Sequence, residues 1–200
     1  VGHGMTTATN AVIQRKGAKI AFVGNQGFRD LLEIGRQNRP KLYDYRVSRT
    51  TPLARRADRY TINGRLDFKG TELEPLDLKE IETVAEKIRC SDVKAVAVCL
   101  LHSYANPIHE QNVRSVLETC LPNVFVCISS DIIREFREYE RASTVALNAY
   151  LIPIMDRYLL SLESKLVDLD FGLGLQSKAP VMVMEASGGL MTLATARKKP

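Results

Sequence analysis

The chain has no tryptophan, three histidines and four cysteines in 200 residues. Cys90, Cys99, Cys120 and Cys127 form no C-x-x-C pair, which argues against a zinc clip. Two of them stand in apolar runs that read as buried strands, so core thiols in a reducing compartment are expected. No stretch reaches the ~18 consecutive apolar residues that a membrane span needs, and no segment reads as a signal peptide. A cytoplasmic protein with no membrane contact is therefore expected. Long Lys/Arg runs are also missing, with cations clustering only at Arg197–Lys199. The net charge of +5 reads as a mild attraction to anions, for which nucleotide phosphates suffice, and a nucleic-acid partner is not expected.

Hydrophobic residues make up 45% of the chain and charged residues 26%, the balance of a globular protein that buries a core. The length accommodates one large domain or parts of two. The sequence opens on Val1 without an initiator methionine and closes on Arg197-Lys198-Lys199-Pro200, in the middle of an expected helix start. It reads as an internal piece of a larger enzyme.

Local patterns alternate between strand and helix. Thr6 and Thr7 can cap a helix running to about Lys16, with Gly17 closing it. Lys19–Val23 reads as a buried strand, and Phe28, Leu31 and Leu32 share a helical face that Gly35 stops. Arg59–Ile62 has strand character, and Asn63-Gly64 predicts a two-residue hairpin with Arg65–Phe68 returning. Asp77 caps a helix carrying Leu78, Ile81, Val84 and Ile88, with Glu80 at a capping-box position. Val93–Leu101 is a continuous apolar run, as in a central strand covered on both faces. Asn106-Pro107 starts a helix bearing Val113, Val116, Leu117 and Cys120. Val124–Ile128 is a further strand. Residues 135–167 read as helical, with Pro153 predicting a kink or break. A linker over 172–178, a last strand Val181–Met184 and a Ser187-Gly188-Gly189 turn opening a final helix complete the pattern. The alternation predicts an α/β protein with a mixed, mainly parallel sheet and flanking helices, the hairpin supplying the antiparallel part.

Four segments hold polar residues that packing does not require. In Gly2-His3-Gly4-Met5-Thr6-Thr7-Ala8-Thr9-Asn10, glycines and hydroxyls at a helix start suit an anion, though spacing alone favours a simple N-cap. Arg36-Gln37-Asn38-Arg39-Pro40 offers two guanidiniums that can grip a carboxylate or phosphate; by itself it reads as a solvated basic loop. His102 to Glu110 follows the most apolar strand, where open α/β sheets place ligands. Its histidines lack a standard metal spacing, so capping and loop bracing are expected and a metal is not. Glu185-Ala186-Ser187-Gly188-Gly189-Leu190 is a glycine turn whose backbone a phosphate could approach closely.

Taken in order, the stretches GHGMTTATNAVIQRKGA, GFRDLLEIGRQNRPKLYDY, AVCLLHSYANPIHE, REYERASTVALNAYLIPIMDRYL and MEASGGLM resemble the ATP-dependent hydantoinase/oxoprolinase family. The short connection between Arg36 and Leu76 is more similar to its hydantoinase A-type subunit than to the fused oxoprolinases. Residues 1–131 resemble part of the family's amino-terminal domain, and residues 132–200 the start of its second domain. The resemblance implies an actin-like (ribonuclease H-like) ATPase fold, with ATP and Mg²⁺ as cofactors of the full-length protein. It also implies hydrolysis of a cyclic amide such as hydantoin or 5-oxoproline, with a hydantoinase B-type partner subunit or fused domain. Related ketone carboxylase subunits phosphorylate an enol instead, and a non-catalytic binding or assembly module of the same fold is the other alternative. Thr6, Thr7 and Asn10 become candidates to face substrate or the transferred phosphate. Arg36, Asn38 and Arg39 become anion or subunit contacts, while Ser187, Gly188 and Gly189 border the cleft. Arg141 and Asn148 lie in the family's helix motif, as lobe-bridging or site residues. Met5 and Ala186 depart from the Thr and Asn usual in the family. Its phosphate loop is expected upstream of Val1 and its adenosine-binding half beyond Pro200, so these 200 residues alone are expected to be inactive.

Overall fold

The computed structural model describes residues 2–38, 43, 44, 46, 50–173, 181–185 and 188–199, with 166–173 described by backbone alone. In chain order the elements are β1 (Gly2–His3), α1 (Thr7–Ile13), β2 (Ile20–Asn25), α2 (Leu31–Ile34), a 3₁₀ turn at Arg56–Asp58, β3 (Arg59–Ile62), β4 (Arg65–Leu66), β5 (Glu72–Glu74), α3 (Leu78–Arg89), β6 (Ala95–Val98), α4 (Ile108–Cys120), β7 (Phe125–Ile128), α5 (Ser129–Ile132), α6 (Glu138–Leu173), β8 (Met182–Met184), β9 (Leu190–Thr192) and α7 (Leu193–Lys198). They form two compact units. One is Lys19–Tyr150; the other joins Val1–Ala18 to Leu151–Pro200.

In the Lys19–Tyr150 unit a four-stranded sheet has the order β3-β2-β6-β7 and is parallel throughout. The two inner strands are covered on both faces, so their sequences are unbroken apolar runs rather than alternating ones. Ile20, Ala21, Phe22, Val23 and all of Ala95–Val98 are at most 1% exposed. Helix α3 supplies Ile81, Val84, Ala85 and Ile88 to this core, and α4 supplies Val113 and Leu117. The expected strand Val93–Leu101 contracts to Ala95–Val98 because side chains capture the backbone beyond it. Leu100 N–H goes to Glu110 and Leu101 N–H to Asn25.

The Asn63-Gly64 hairpin does not form. Strand β3 instead pairs with β2, burying Ile62 completely, and β4 pairs antiparallel with β5. Asn63 N–H donates to Glu80 at 2.7 Å, which draws that carboxylate away from the capping-box role. Gly64 takes φ +112°, where a Cβ would lie 2.6 Å from Leu76 Cδ2. Its glycine is thus demanded by a close approach rather than by a type I′ turn. Asp77 caps α3 as expected, accepting from Lys79 N–H at 2.9 Å.

In the other unit β1 pairs parallel with β8, and β8 antiparallel with β9. The mainly parallel, mixed α/β expectation therefore holds, with the antiparallel pairs at β4–β5 and β8–β9. Helix α1 stops earlier than expected. Arg15, not Gly17, adopts the left-handed conformation (φ 51°). Arg15 N–H reaches Val12 O and Lys16 N–H reaches Ala11 O at 2.9 Å, which is a Schellman closure. Helix α6 runs unbroken through Pro153. Leu151, Ile152, Met155 and Leu159 are buried around it, and that burial offsets the ~3 kcal/mol cost of an interior proline. The 172–178 linker call falls mostly outside the described residues, but its first two positions belong to α6. The glycine turn does not open a helix directly. Glu185 N–H donates to Gly189 O at 2.8 Å and Gly188 N–H to Glu185 O at 3.0 Å, joining β8 to β9 as a hairpin before α7 begins.

Candidate functional site

The parallel pairing of β1 with β8, His3 opposite Val183, sets the geometry of the site. Both strands run the same way, so the segments leaving them emerge at the same carboxyl edge. After β1 comes Gly4-Met5-Thr6; after β8 comes the Glu185–Gly189 turn. Carboxyl edges of parallel strands are where α/β proteins place ligands. A Cβ built on Gly4 would lie 3.7 Å from Met184 Sδ, so the two segments are in contact range at their bases.

Thr6 stands at the N-cap of α1 with φ −114° and ψ 10°, and its side chain makes no capping bond. Its Oγ1 accepts from Asn10 Nδ2 at 3.4 Å instead. Thr6 and Asn10 are exposed and Thr7 is half-buried. Two of the expected trio therefore share one exposed helix face, one turn apart. Helix α1 has only seven residues, so its dipole is weak and the hydroxyls and amide are what it can offer an anion. Gly188 has φ +92° with no heavy atom within 4 Å of a Cβ position, and Gly189 is exposed beside Glu185. Ser187 lies outside the described residues.

Arg36 and Asn38 belong to the Lys19–Tyr150 unit and are exposed. Arg36 Nε donates to Glu140 Oε1 at 2.6 Å. Burial acts to raise the Glu140 carboxyl, but a backbone N–H and the Arg36 guanidinium outweigh it and hold it below its ordinary value. Arg36 is therefore engaged by a carboxylate. Arg39 lies outside the described residues.

The His102–Glu110 segment does bracing work. His109 Nε2 lies 2.7 Å from Glu72 Oε1, tying α4 to the β4–β5 ribbon, while His102 is 3.4 Å from Tyr104 Oη. No group of three metal-ligating side chains occurs among the described residues. Glu110, 0% exposed, accepts from Leu100 N–H at 2.9 Å, Ser129 Oγ at 2.6 Å and Ser130 N–H at 2.8 Å. Arg141, also 0% exposed, donates to Ser103 Oγ, to Ser129 Oγ at 3.1 Å and to Leu100 O at 3.1 Å, with Tyr104 lying 5.5 Å from its guanidinium. Asn148 Nδ2 reaches Cys127 Sγ at 3.7 Å. The Glu110 and Arg141 bonds hold the carboxyl ends of β6 and β7 in one geometry.

Sequence reasoning missed the pairing of His3 with Tyr158, whose Nε2 and Oη are 2.8 Å apart. It also missed the Glu110–Ser129–Arg141 network. A signal existed for the latter: Arg141 stands one residue before Ala142, in a helix whose Val145, Ala146 and Ala149 are core residues.

Residues 1–121 match the model of the hydantoinase/oxoprolinase N-terminal region, and residues 141–200 the model described as hydantoinase/oxoprolinase. The chain belongs to the hydantoinase/oxoprolinase family. It is 38% identical to an uncharacterized protein of Methanocaldococcus jannaschii, over 99% of this chain and 29% of that protein. It is 34% identical to caprolactamase subunit alpha of Pseudomonas jessenii, over 94% of this chain and 26% of that subunit. Among solved structures, the ATP-dependent caprolactamase of Pseudomonas jessenii superposes with a TM-score of 0.82 at 33% identity, covering 94% of this chain and 26% of that one. Nucleotide-free acetone carboxylase gives 0.81 at 26% identity, covering 98% and 29%. The chain spans less than a third of the length of these relatives. Among the described residues, no helix is long and apolar enough to cross a membrane.

Proposed function

We propose that the chain is part of an ATP-dependent enzyme that opens a cyclic amide of the hydantoin, lactam or 5-oxoproline type. The observation that supports this reading is the parallel pairing of β1 with β8, His3 opposite Val183, beyond which a Cβ on Gly4 would lie 3.7 Å from Met184 Sδ. A ring amide is a poor electrophile with a poor leaving group. ATP, with Mg²⁺, would supply the phosphoryl group that turns the carbonyl oxygen into a leaving group for attacking water. The residues here suit phosphoryl oxygens: the Thr6 hydroxyl is not spent on capping α1, and the backbone at Gly188 is open. In this reading Thr6, Thr7 and Asn10 donate hydrogen bonds to the transferred group or substrate. Ser187, Gly188 and Gly189 line the approach with backbone donors. Arg36, Asn38 and Arg39 act as anion or subunit contacts, with Glu140 the competing partner of Arg36. Such a site works by positioning and by stabilising charge, not by covalent chemistry of its own.

The caprolactamase likeness favours an amide substrate, and that relative's being one subunit favours a partner, which we take to be a hydantoinase B-type subunit or fused domain. The buried free thiols of Cys99 and Cys127 favour a reducing, cytoplasmic setting. A second reading, enol phosphorylation in a ketone carboxylase, has its own support in the acetone carboxylase likeness over 98% of the chain. Phosphate release by the full-length protein with its partner subunit, assayed with hydantoin, caprolactam, 5-oxoproline and acetone, separates the two. The Thr6→Ala/Thr7→Ala double variant is expected to lose substrate-coupled phosphate release. Wild-type coupling in that variant rules out the assigned role. No ATP-dependent turnover by the wild type with any of the four points instead to a binding or assembly module.

A further inference from the structure

We propose that Tyr158 is a positioning residue for this site, acting through His3; the inference rests on the phosphoryl-transfer reading above. Strand β1 has two residues and, among the described residues, pairs on one side only, with β8. A ladder that short constrains the chain weakly. Gly2 and Gly4 flank His3, and a Cβ at Gly2 would meet no heavy atom of the described residues within 4 Å. Of residues 2–4, His3 alone has a side chain with which to anchor the segment.

That anchor is Tyr158, from α6. The phenol oxygen lies 2.8 Å from His3 Nε2, and the two rings stack with centroids 5.8 Å apart at 30°. The support behind Tyr158 is firm. Met155 and Leu159, in the same stretch of helix, are wholly buried, and Asp156 accepts from Arg197 Nε at 2.6 Å, tying α6 to α7. The ring of His3 is therefore fixed in two ways, by stacking and by a hydrogen bond. Fixing it fixes the peptide that leads into Gly4, from which the turn to Thr6 departs. Removing the phenol hydroxyl leaves the stack in place but frees the imidazole to rotate. The hydroxyls of Thr6 and Thr7 then keep their identity and lose their alignment with the reacting carbonyl.

The test uses the full-length protein with its partner subunit and the best wild-type substrate among those named above. Tyr158→Phe is expected to lower kcat about tenfold while the KM for ATP stays within about twofold, the signature of lost alignment rather than lost binding. Its melting temperature should match the wild type. His3→Ala should give a similar loss, and the His3→Ala/Tyr158→Phe double variant no more than either single change, because both cut the same link. Wild-type kcat in Tyr158→Phe overturns the role. So does a kcat loss matched by a fall in melting temperature, or a double variant whose losses multiply. Absence of ATP-dependent turnover in the wild type is a different failure: it overturns the phosphoryl-transfer reading and removes this role with it.

Discussion

Glu110 and Arg141 grip the same hydroxyl: Ser129 Oγ donates to Glu110 at 2.6 Å and accepts from Arg141 at 3.1 Å, in a place where both charged side chains are 0% exposed. Each charge answers the other through Ser129 and the Leu100 peptide, and each also bonds groups at strand ends. Removing one partner leaves the other buried and uncompensated. Glu110→Ala or Arg141→Ala should each cost ~3–5 kcal/mol. The Glu110→Leu/Arg141→Met double variant should cost less than the sum of its two single changes. Urea unfolding of the four proteins measures this.

Gly64 presents a purely steric case. With φ +112° and Leu76 Cδ2 2.6 Å from a Cβ position, Gly64→Ala meets both backbone strain and a clash. A loss of more than ~1 kcal/mol is expected. Gly2→Ala, where nothing lies within 4 Å, should stay within about 0.5 kcal/mol of wild type in the same assay.

The four thiols should separate by environment. Burial pushes the Cys99 and Cys127 thiols up to about 12, so almost no thiolate forms near neutrality. Cys90 is exposed and Cys120 half-buried. A thiol reagent applied to native protein at mildly alkaline pH should label Cys90 first. Cys99 and Cys127 should react only when the protein unfolds, as read by mass spectrometry of labelled peptides.

Acid should weaken the fold through its depressed carboxylates. Asp67 accepts from Thr71 N–H and Lys69 N–H, each at 2.8 Å, and Thr71 is the larger cause holding its carboxyl below the ordinary 3.8. A group whose value is depressed on folding stabilises the native state above its unfolded value, and that stability fades as pH falls through the folded value. The contribution should thus be whole near neutrality and decline below about pH 4. Asp67→Asn should flatten that part of the profile when unfolding midpoints are followed against pH.

Much of the fold is legible locally. The apolar runs at Ile20–Val23 and Ala95–Val98 can only be strands covered on both faces, and Asp77 marks the start of α3 through its own side chain. Asn63-Gly64 misleads because a turn dipeptide has more than one use. The hairpin signal is local, whereas the burial of Ile62 against β2 is worth more and is not. A break at Pro153 fails to occur for the same reason, since the apolar residues that hold α6 together on either side of it outweigh one lost hydrogen bond. The candidate site was half legible. Thr6 and Asn10 announce a shared face by their spacing of four, and the glycine turn announces an open backbone. The spacing of Arg36 says nothing of Glu140, 104 positions away.

The sequence by itself determined the inner strands, the helix faces, the family and the polar segments worth watching, because periodicity and side-chain chemistry act over a few residues. Only the tertiary structure decided that β1 lies beside β8, that Tyr158 meets His3 across 155 positions, and that Glu110 and Arg141 share the Ser129 hydroxyl in the core. Those outcomes depend on which buried surfaces and hydrogen-bonding groups find each other once the chain has folded, a competition among distant segments that no short stretch of sequence encodes.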